Sequence, residues 1–480
     1  MLQLTSLTCR PQRLAVVLSV FSSLLMARWT VAAEPAAQQP APTATARKAQ
    51  QQVVAIFKAG QEATSADQLA GVLAQCASVD RSALSVAHAE YFNRLQAWIH
   101  NKRGEALAAQ AEEAVLVDQL EQADSFEAAA LREFHSAVEL DPNSWQAHHN
   151  RGVSLASLGQ LPEAIRDFDV TIRVNPQHKN AWFNRAEIFY QLDQFDRAET
   201  DYGQVIQLDP KDQGAYLGRA HVRHDMGKHQ LALADYNTAL ELDPQDAEAL
   251  IDRGNLHAML GSWQLAANDY RQAIRTDKNS ARAYQQAAWM MATCPDAKFR
   301  NADLAVKAAQ RALQIQGEES DHRSYETLAA ALATAGKFEQ AVEIQRKAIE
   351  LAPANQHDSL NVRLTGYQQH QPILDGGPGR AQPSRDAEDD LVATAEEPRS
   401  VRDGEVRTAS ALSEAIADVT REAAQATAPP TIMPVEQTVD RPLEQAIPTP
   451  PDPRVPRPLP GVIRPQMLPP RVPVSTPSRR

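Results

Sequence analysis

Glycine is scarce in this 480-residue chain, at 19 residues, and aromatic residues make up only 5% of it. Both shortages disfavour an all-β or α/β fold, which draws on aromatic strands and glycine-rich turns. Cysteine is rarer still. Cys9 sits near the N-terminus, and only Cys76 and Cys294 remain beyond it. Two thiols allow at most one disulfide, so a secreted fold built on disulfides is excluded. Long apolar runs are missing as well: Leu14–Met26 is thirteen residues, against the roughly 20 needed to cross a bilayer as a helix. Basic charge is also short, with 48 Lys+Arg against 60 Asp+Glu and a net charge of −12. A phosphate-backbone binder needs a basic stripe, so no nucleic-acid partner is expected. Catalytic signatures are absent: there is no Gly-rich phosphate loop, no His-Glu-x-x-His and no Gly-x-Ser-x-Gly. Neither enzymatic activity nor a cofactor is expected.

Proline is present but uneven, with 20 of 31 residues after position 371. The chain therefore holds at least two physical regimes. At the N-terminus, Arg10 and Arg13 precede the apolar run, and Val31-Ala32-Ala33 follows it. That pattern predicts an export signal over residues 1–33, cleaved before Glu34, and an exported chain: periplasmic, envelope-bound or extracellular. Membrane contact is expected only if the signal stays uncleaved. An Ala/Pro-rich linker, 34–45, follows.

The middle of the chain is periodic. Leu140-Asp141-Pro142, Val174-Asn175-Pro176, Leu208-Asp209-Pro210 and Leu242-Asp243-Pro244 recur every 34 residues, and Thr276-Asp277-Lys278 is a degenerate copy. Leu351-Ala352-Pro353 stands two periods and seven residues further on. The surplus is accounted for by Thr293–Phe299 and Ser320-Asp321. Small residues keep the same register. Ala130, Ala164, Ala198, Ala232, Ala266 and Ala341 each lie twelve residues before a stop, and Ala305 fills the interrupted copy. Gly152, Ala186, Ala220, Gly254, Ala288 and Ala329 mark a second small slot. One small residue in each of two antiparallel helices lets their backbones approach. Leu158-Gly159 and Leu260-Gly261 mark the turns between them, and each Pro ends a second helix.

This helix–turn–helix unit resembles the tetratricopeptide repeat (TPR) over residues 89–355. The closest single unit runs from Ala181-Trp182-Phe183-Asn184-Arg185-Ala186 through Ala198 and Tyr202 to Leu208-Asp209-Pro210. The resemblance implies an all-α solenoid, a right-handed superhelix whose first helices line a concave groove. Groove positions would then be Gln146, His149, Asn150, Asn180, Phe183, Asn184, Glu187, Tyr190, Gln191, Leu217, His221, His224, Asp225 and Asn255. Asn150 and Asn184 occupy equivalent slots, where an amide can grip a peptide backbone; Gly218 and Asp252 break that ladder. Asn184 is the groove residue expected to matter most. Lys179 and Lys211 fall outside the groove slots, so a carboxylate clamp is not matched. His221, His224 and Asp225 raise the question of a metal, but too few ligands converge for a metal site to be expected.

Charges supply an independent check of register. Arg151 and Asp167, Arg185 and Asp201, Arg219 and Asp235, and Arg253 and Asp269 are all sixteen apart. Ala287 and Ala308, then Leu328 and Ile344, replace both charges at once. These read as partly exposed salt bridges inside each repeat, worth roughly 0–1 kcal/mol apiece. Arg103-Gly104 and Glu133 repeat the pairing at a spacing of 30, so 14 residues are inserted within Ala111–Ser125. That makes 89–144 a split first repeat, before tandem repeats over 145–355. Ser65-Ala66-Asp67-Gln68 is a capping box, and helices over 46–62 and 65–79 are predicted to cap the N-terminal end within 46–88. Leu360, Leu364 and Tyr367 stripe a C-terminal capping helix within 356–371.

After Gln371 the helical pattern fails. Residues 372–480 are expected to be disordered, first acidic and then Pro/Arg-rich. Residues 429–480 hold 16 Pro, 7 Arg and 4 acids, and Pro453-Arg454-Val455-Pro456 recurs as Pro470-Arg471-Val472-Pro473. That composition favours polyproline II, as a spacer or a docking motif. The functional expectation is an exported, non-enzymatic scaffold that binds a peptide or protein partner in its groove. The alternative is an accessory or regulatory subunit of an envelope enzyme complex, with the chemistry supplied in trans.

Overall fold

The computed structural model describes residues 43–317 and 320–374. Within them lie seventeen α-helices and no strand, so the all-α expectation holds. The predicted signal, most of the linker after it and the Pro-rich tail lie outside the described residues. The described residues divide after Pro210 into two compact units.

The first unit opens with α1 (Ala44–Glu62) and α2 (Ala66–Cys76). Thr43 caps α1 through its hydroxyl, starting it two residues before the predicted position. Ser65 and Gln68 form the capping box, each side chain bonded to the other's backbone N–H. Three helix pairs follow: α3 (Val86–Leu116) with α4 (Leu120–Leu140), α5 (Trp145–Ser157) with α6 (Leu161–Val174), and α7 (Lys179–Gln191) with α8 (Phe195–Leu208). The 14 inserted residues do lengthen a pair, and α3 is also longer at its outer end: α3 has 31 residues and α4 has 21, against 13 and 14 in the next two pairs.

The second unit holds α9 (Gln213–Asp225) with α10 (His229–Leu242), α11 (Ala247–Met259) with α12 (Trp263–Thr276), α13 (Ala281–Thr293) with α14 (Ala302–Gln316), and α15 (His322–Thr334) with α16 (Phe338–Leu351). A final helix, α17 (His357–Gln368), covers the last pair with Leu360 and Tyr367 buried. The interruption after Thr293 is a single 3-10 turn, Ala297–Phe299.

Local chemistry explains the two ends of each pair. Outer ends are capped by side chains: Ser144, Asp212, Asp246 and Ser280 each accept the backbone N–H three residues on, satisfying a donor the helix leaves open. Second helices start without such a cap at Gln160, Gln194, Lys228 and Ser262. There the inner turn passes through a left-handed residue, Gly159, Asp193, Gly227 or Gly261, with φ between 56° and 75°. The turn N–H groups go instead to the end of the first helix, as Gln160 to Leu155 and Lys228 to Arg223.

The small slots are the core. All seven alanines of the first slot are fully buried. In the second slot, a Cβ on Gly152 would sit 3.0 Å from the Phe168 ring, and one on Gly254 would sit 2.8 Å from Tyr270. The second-helix aromatics therefore press against the first-helix backbone. Cys76 and Cys294 are free, buried thiols, and burial pushes the Cys294 thiol up to about 11.

Candidate functional site

The four Arg–Asp pairs close as two-pronged bridges within their repeats. Arg151 reaches Asp167 at 2.8 Å, and Arg185 reaches Asp201 at 2.7 and 2.9 Å. Arg219 pairs with Asp235 at 2.8 and 2.9 Å, and Arg253 with Asp269 at 2.6 and 3.0 Å. Arg103 and Glu133 pair in the lengthened first repeat. One expectation needs correcting. The aspartates are only 4–7% exposed and the arginines 15–21%, so these are buried pairs rather than partly exposed ones. The reason is the close approach of the helices, which leaves the carboxylate beneath the guanidinium. Burial works against the Asp167 charge, but hydrogen bonds from Arg151 and His148 outweigh it and hold the carboxyl below its usual range.

The asparagine slot also differs from expectation. Asn184 is fully buried, and His149 and Glu187 are 4% and 5% exposed. None of the three is presented to a ligand as a groove residue would be. Asn150, at the same slot as Asn184, shows which way it faces. Its amide donates to Asn101 Oδ1 at 3.0 Å and to Glu105 Oε1 at 2.9 Å, both on the preceding first helix α3. Asn101 itself donates to Glu105 at 2.9 Å. Burial pushes the Glu105 carboxyl above its ordinary range, against the pull of Asn150 and Asn101. The slot thus points into the seam between consecutive first helices. Glu187 and His149 are buried by other partners: Glu187 takes the Tyr202 hydroxyl, and His149 packs against Phe168 and His178.

In the second unit the same slot is Asp252. It lies 3.0 Å from His221 Nε2 on α9 and is paired with Arg282 on α13, which also pairs with Glu248. Asp252 therefore joins three consecutive first helices. Burial opposes its ionisation, but His221 and Arg282 keep the carboxyl below the usual range. Sequence reasoning missed Asn101, Glu105, Glu248 and Arg282. The available signal was the slot itself: Asp252 breaks an asparagine ladder yet keeps a side chain able to accept from both neighbours.

The other sequence-predicted positions divide between the units. In the first, Gln146, Asn150, Asn180, Phe183, Tyr190 and Gln191 are half-buried on the first helices, with Phe183 edge-on to Tyr202 at 5.6 Å. In the second, Leu217, His221, His224 and Asn255 are half-buried and Asp225 is exposed. Asn255 accepts the Tyr270 hydroxyl at 2.8 Å, and His224 lies 3.2 Å from Asp225. Lys179 pairs with Asp209 at 2.6 Å. Among the described residues, no group of three or more His, Cys, Asp or Glu is arranged to hold a metal ion, and no helix is long and apolar enough to cross a membrane.

Family models agree with this repeat register. Family models described as tetratricopeptide repeat match residues 119–171, 150–213 and 322–355, and one described as TPR repeat matches 220–261. No curated protein matches the chain. Among solved structures, a tetratricopeptide repeat protein from Parabacteroides merdae is similar at 16% identity and a TM-score of 0.39, over 55% of this chain and 98% of that one. MamA from Desulfovibrio magneticus is similar at 16% identity and a TM-score of 0.32, over 37% and 96% of the two chains. YrrB, described as a TPR protein with an unusual peptide-binding site, is similar at 20% identity and a TM-score of 0.31, over 37% and 88%. With the 34-residue register and its helix pairs, the family-model matches show that residues 119–213, 220–261 and 322–355 of this chain are tetratricopeptide repeats.

Proposed function

We propose that the chain is an exported, non-enzymatic scaffold that holds an extended peptide or protein segment against its first helices. The observation that carries this reading is the tying of consecutive first helices, by Asn150 to Asn101 and Glu105 in one unit and by Asp252 to His221 and Arg282 in the other. Such ties hold the first-helix surface in one geometry before any partner arrives, which lowers the ordering cost of binding. Gln146, Asn180 and Phe183 in the first unit, and Leu217 and His224 in the second, are half-buried side chains on the first helices. Amides there can pair with a peptide backbone, and Phe183 and Leu217 can receive apolar side chains. Export rests on Arg10, Arg13, the run Leu14–Met26 and Val31-Ala32-Ala33.

The test begins with capture of partners from an envelope fraction, using the full chain and a form lacking 372–480. Calorimetry with the captured partner then compares wild type with Asn180→Ala and Phe183→Ala. Losing one neutral hydrogen bond costs about 0.5–1.5 kcal/mol, so Asn180→Ala should weaken binding roughly two- to tenfold. Undiminished binding by both variants, together with loss of binding on deleting 372–480, would move recognition to the tail. A stoichiometric enzyme as the captured partner would favour the accessory-subunit role instead.

A further inference from the structure

The inserted hairpin builds a surface that the repeat register alone does not use. Because α3 and α4 outrun the shorter α5 and α6, one face of α4 is only partly covered: Leu120 and Asp124 are exposed, Glu127 and Leu131 are half-buried, and Glu127 accepts the Ser157 hydroxyl of α5. That face carries Leu120, Asp124, Glu127, Leu131 and His135, spaced for a single stripe. The adjoining face of α4 holds Ala123, Ala130, Phe134 and Ala137, all buried. Where the stripe overhangs the next pair, a cleft of about 590 Å³ opens, lined by Asp124, Glu127, Leu131, Arg132, His135 and Leu158. Leu158 is 50% exposed, and Leu116, Val117 and Leu120 at the hairpin tip are 86%, 59% and 41% exposed. The cleft is thus acidic toward the tip and apolar at its floor, with Arg132 and His135 at the far end.

The charge pattern around it is one-sided. From Glu112 to Glu127, across the hairpin tip, the chain has six acids and no base. The chain's own end is the converse: residues 453–480 hold six arginines and no acid, and they contain both copies of Pro-Arg-Val-Pro. We infer that the Pro-Arg-Val-Pro segments of the C-terminal tail dock in the cleft between α4 and Leu158. Arg454 or Arg471 meets Asp124 and Glu127, while the following Val and Pro cover Leu131 and Leu158. The dimensions agree. Seven residues of helix separate Asp124 from Leu131, about 10 Å, and four residues of polyproline II cover about 12 Å. Proline pre-sets that extended form, so little ordering entropy opposes the contact. The 78 residues between Leu374 and Pro453 can span up to about 260 Å, so chain length does not prevent the contact. Two copies of the motif let either one occupy the cleft. This reading is independent of the first-helix surface: an occupied cleft would be released when a stronger ligand claims either the tail or the ledge.

Hydrogen exchange on the full chain tests the inference, comparing wild type with Arg454→Glu/Arg471→Glu. Both positions lie outside the described residues, and an unchanged thermal melt confirms that the helices still fold. The double variant should exchange at least threefold faster over residues 117–135 and unchanged elsewhere. A control with Arg399→Glu/Arg402→Glu, the same charge change outside the motif, should behave as wild type. A photo-crosslinker placed at Leu158 in the full chain gives a second reading, with an adduct expected on residues 450–475 of the same molecule. Equal exchange in wild type and the double variant, or no tail adduct at Leu158, overturns the inference. Adducts that join two molecules and fade on dilution would assign the cleft to a second copy and overturn docking within one chain.

Discussion

At Gly104 the helix backbone lies against the Phe134 ring so closely that a Cβ would meet three ring atoms at 2.4, 2.7 and 2.9 Å. Phe134 is 2% exposed and cannot step aside. Gly104→Ala should therefore lower the melting temperature, the strain of overpacking (about 1–3 kcal/mol) outweighing the roughly 1 kcal/mol that Ala gains over Gly in a helix. A melt at or above wild type would mean the pair has room to relax. His178 offers a pH test. Burial between Trp145 and His149 pushes its imidazole down to about 4 from 6.5. The folded pKa is depressed, so the unfolded chain takes up the proton first. Its contribution is complete above pH 6.5 and is lost as pH falls from 6.5 through 4. His178→Phe keeps a ring in place without that proton, so its melting temperature should fall less between pH 7 and pH 4 than wild type's. Parallel curves would show that His178 is solvated.

The helix pair is the unit in which most of the packing energy resides. Ala198 is fully buried where α8 crosses α7, and Ala198→Leu should cost about 1–3 kcal/mol by forcing the helices apart. Thermal melts of the two proteins check this, and an unchanged transition would put Ala198 outside the contact. The buried ion pairs act at the same level. Removing Asp201 takes the two-pronged partner from Arg185, 15% exposed, and leaves it paired with Asp169 alone. Asp201→Ala should lose about 3 kcal/mol of stability, as measured by chemical denaturation, while leaving partner affinity close to wild type. Both registers were legible in the chain, because residues sixteen apart and alanines on a 34-residue period report contacts inside one pair. The depth of the pairs was not legible. Burial depends on how closely two backbones approach, and spacing alone does not carry that distance.

For the molecule as a whole, repeats contribute stability largely through their nearest neighbours, so the hairpin extension should be dispensable for folding. Excising residues 112–125 with Ala111→Gly restores the inner turn and the Arg-to-acid spacing of the neighbouring pairs, leaving the longer outer end of α3 in place. The shortened chain should keep a cooperative melt, with helix content reduced only by the residues removed. Loss of cooperative unfolding would make the extension part of the core. The same excision removes the acidic ledge and leaves the first-helix ties of Asp252 intact, so it separates the two surfaces in one protein.

The sequence by itself determined the helix pairs, their turns, the Arg–Asp bridges and the inserted hairpin, because each is a contact between residues close in the chain and repeated several times over. The signal-like segment and the Pro/Arg-rich tail were also legible from composition, and they lie outside the described residues. Only the tertiary structure decided which polar first-helix residues serve the fold. Asn150, Asn184 and Asp252 share a slot that pattern reading assigns to a ligand, yet Asn150 and Asp252 turn into the seam between first helices, and Asn184 is buried. The reason is physical. A slot's position on its own helix follows from the period, but whether it meets solvent depends on how the next pair stacks against it. The ledge beside Leu158 has the same origin: it exists because a long pair stands next to a short one.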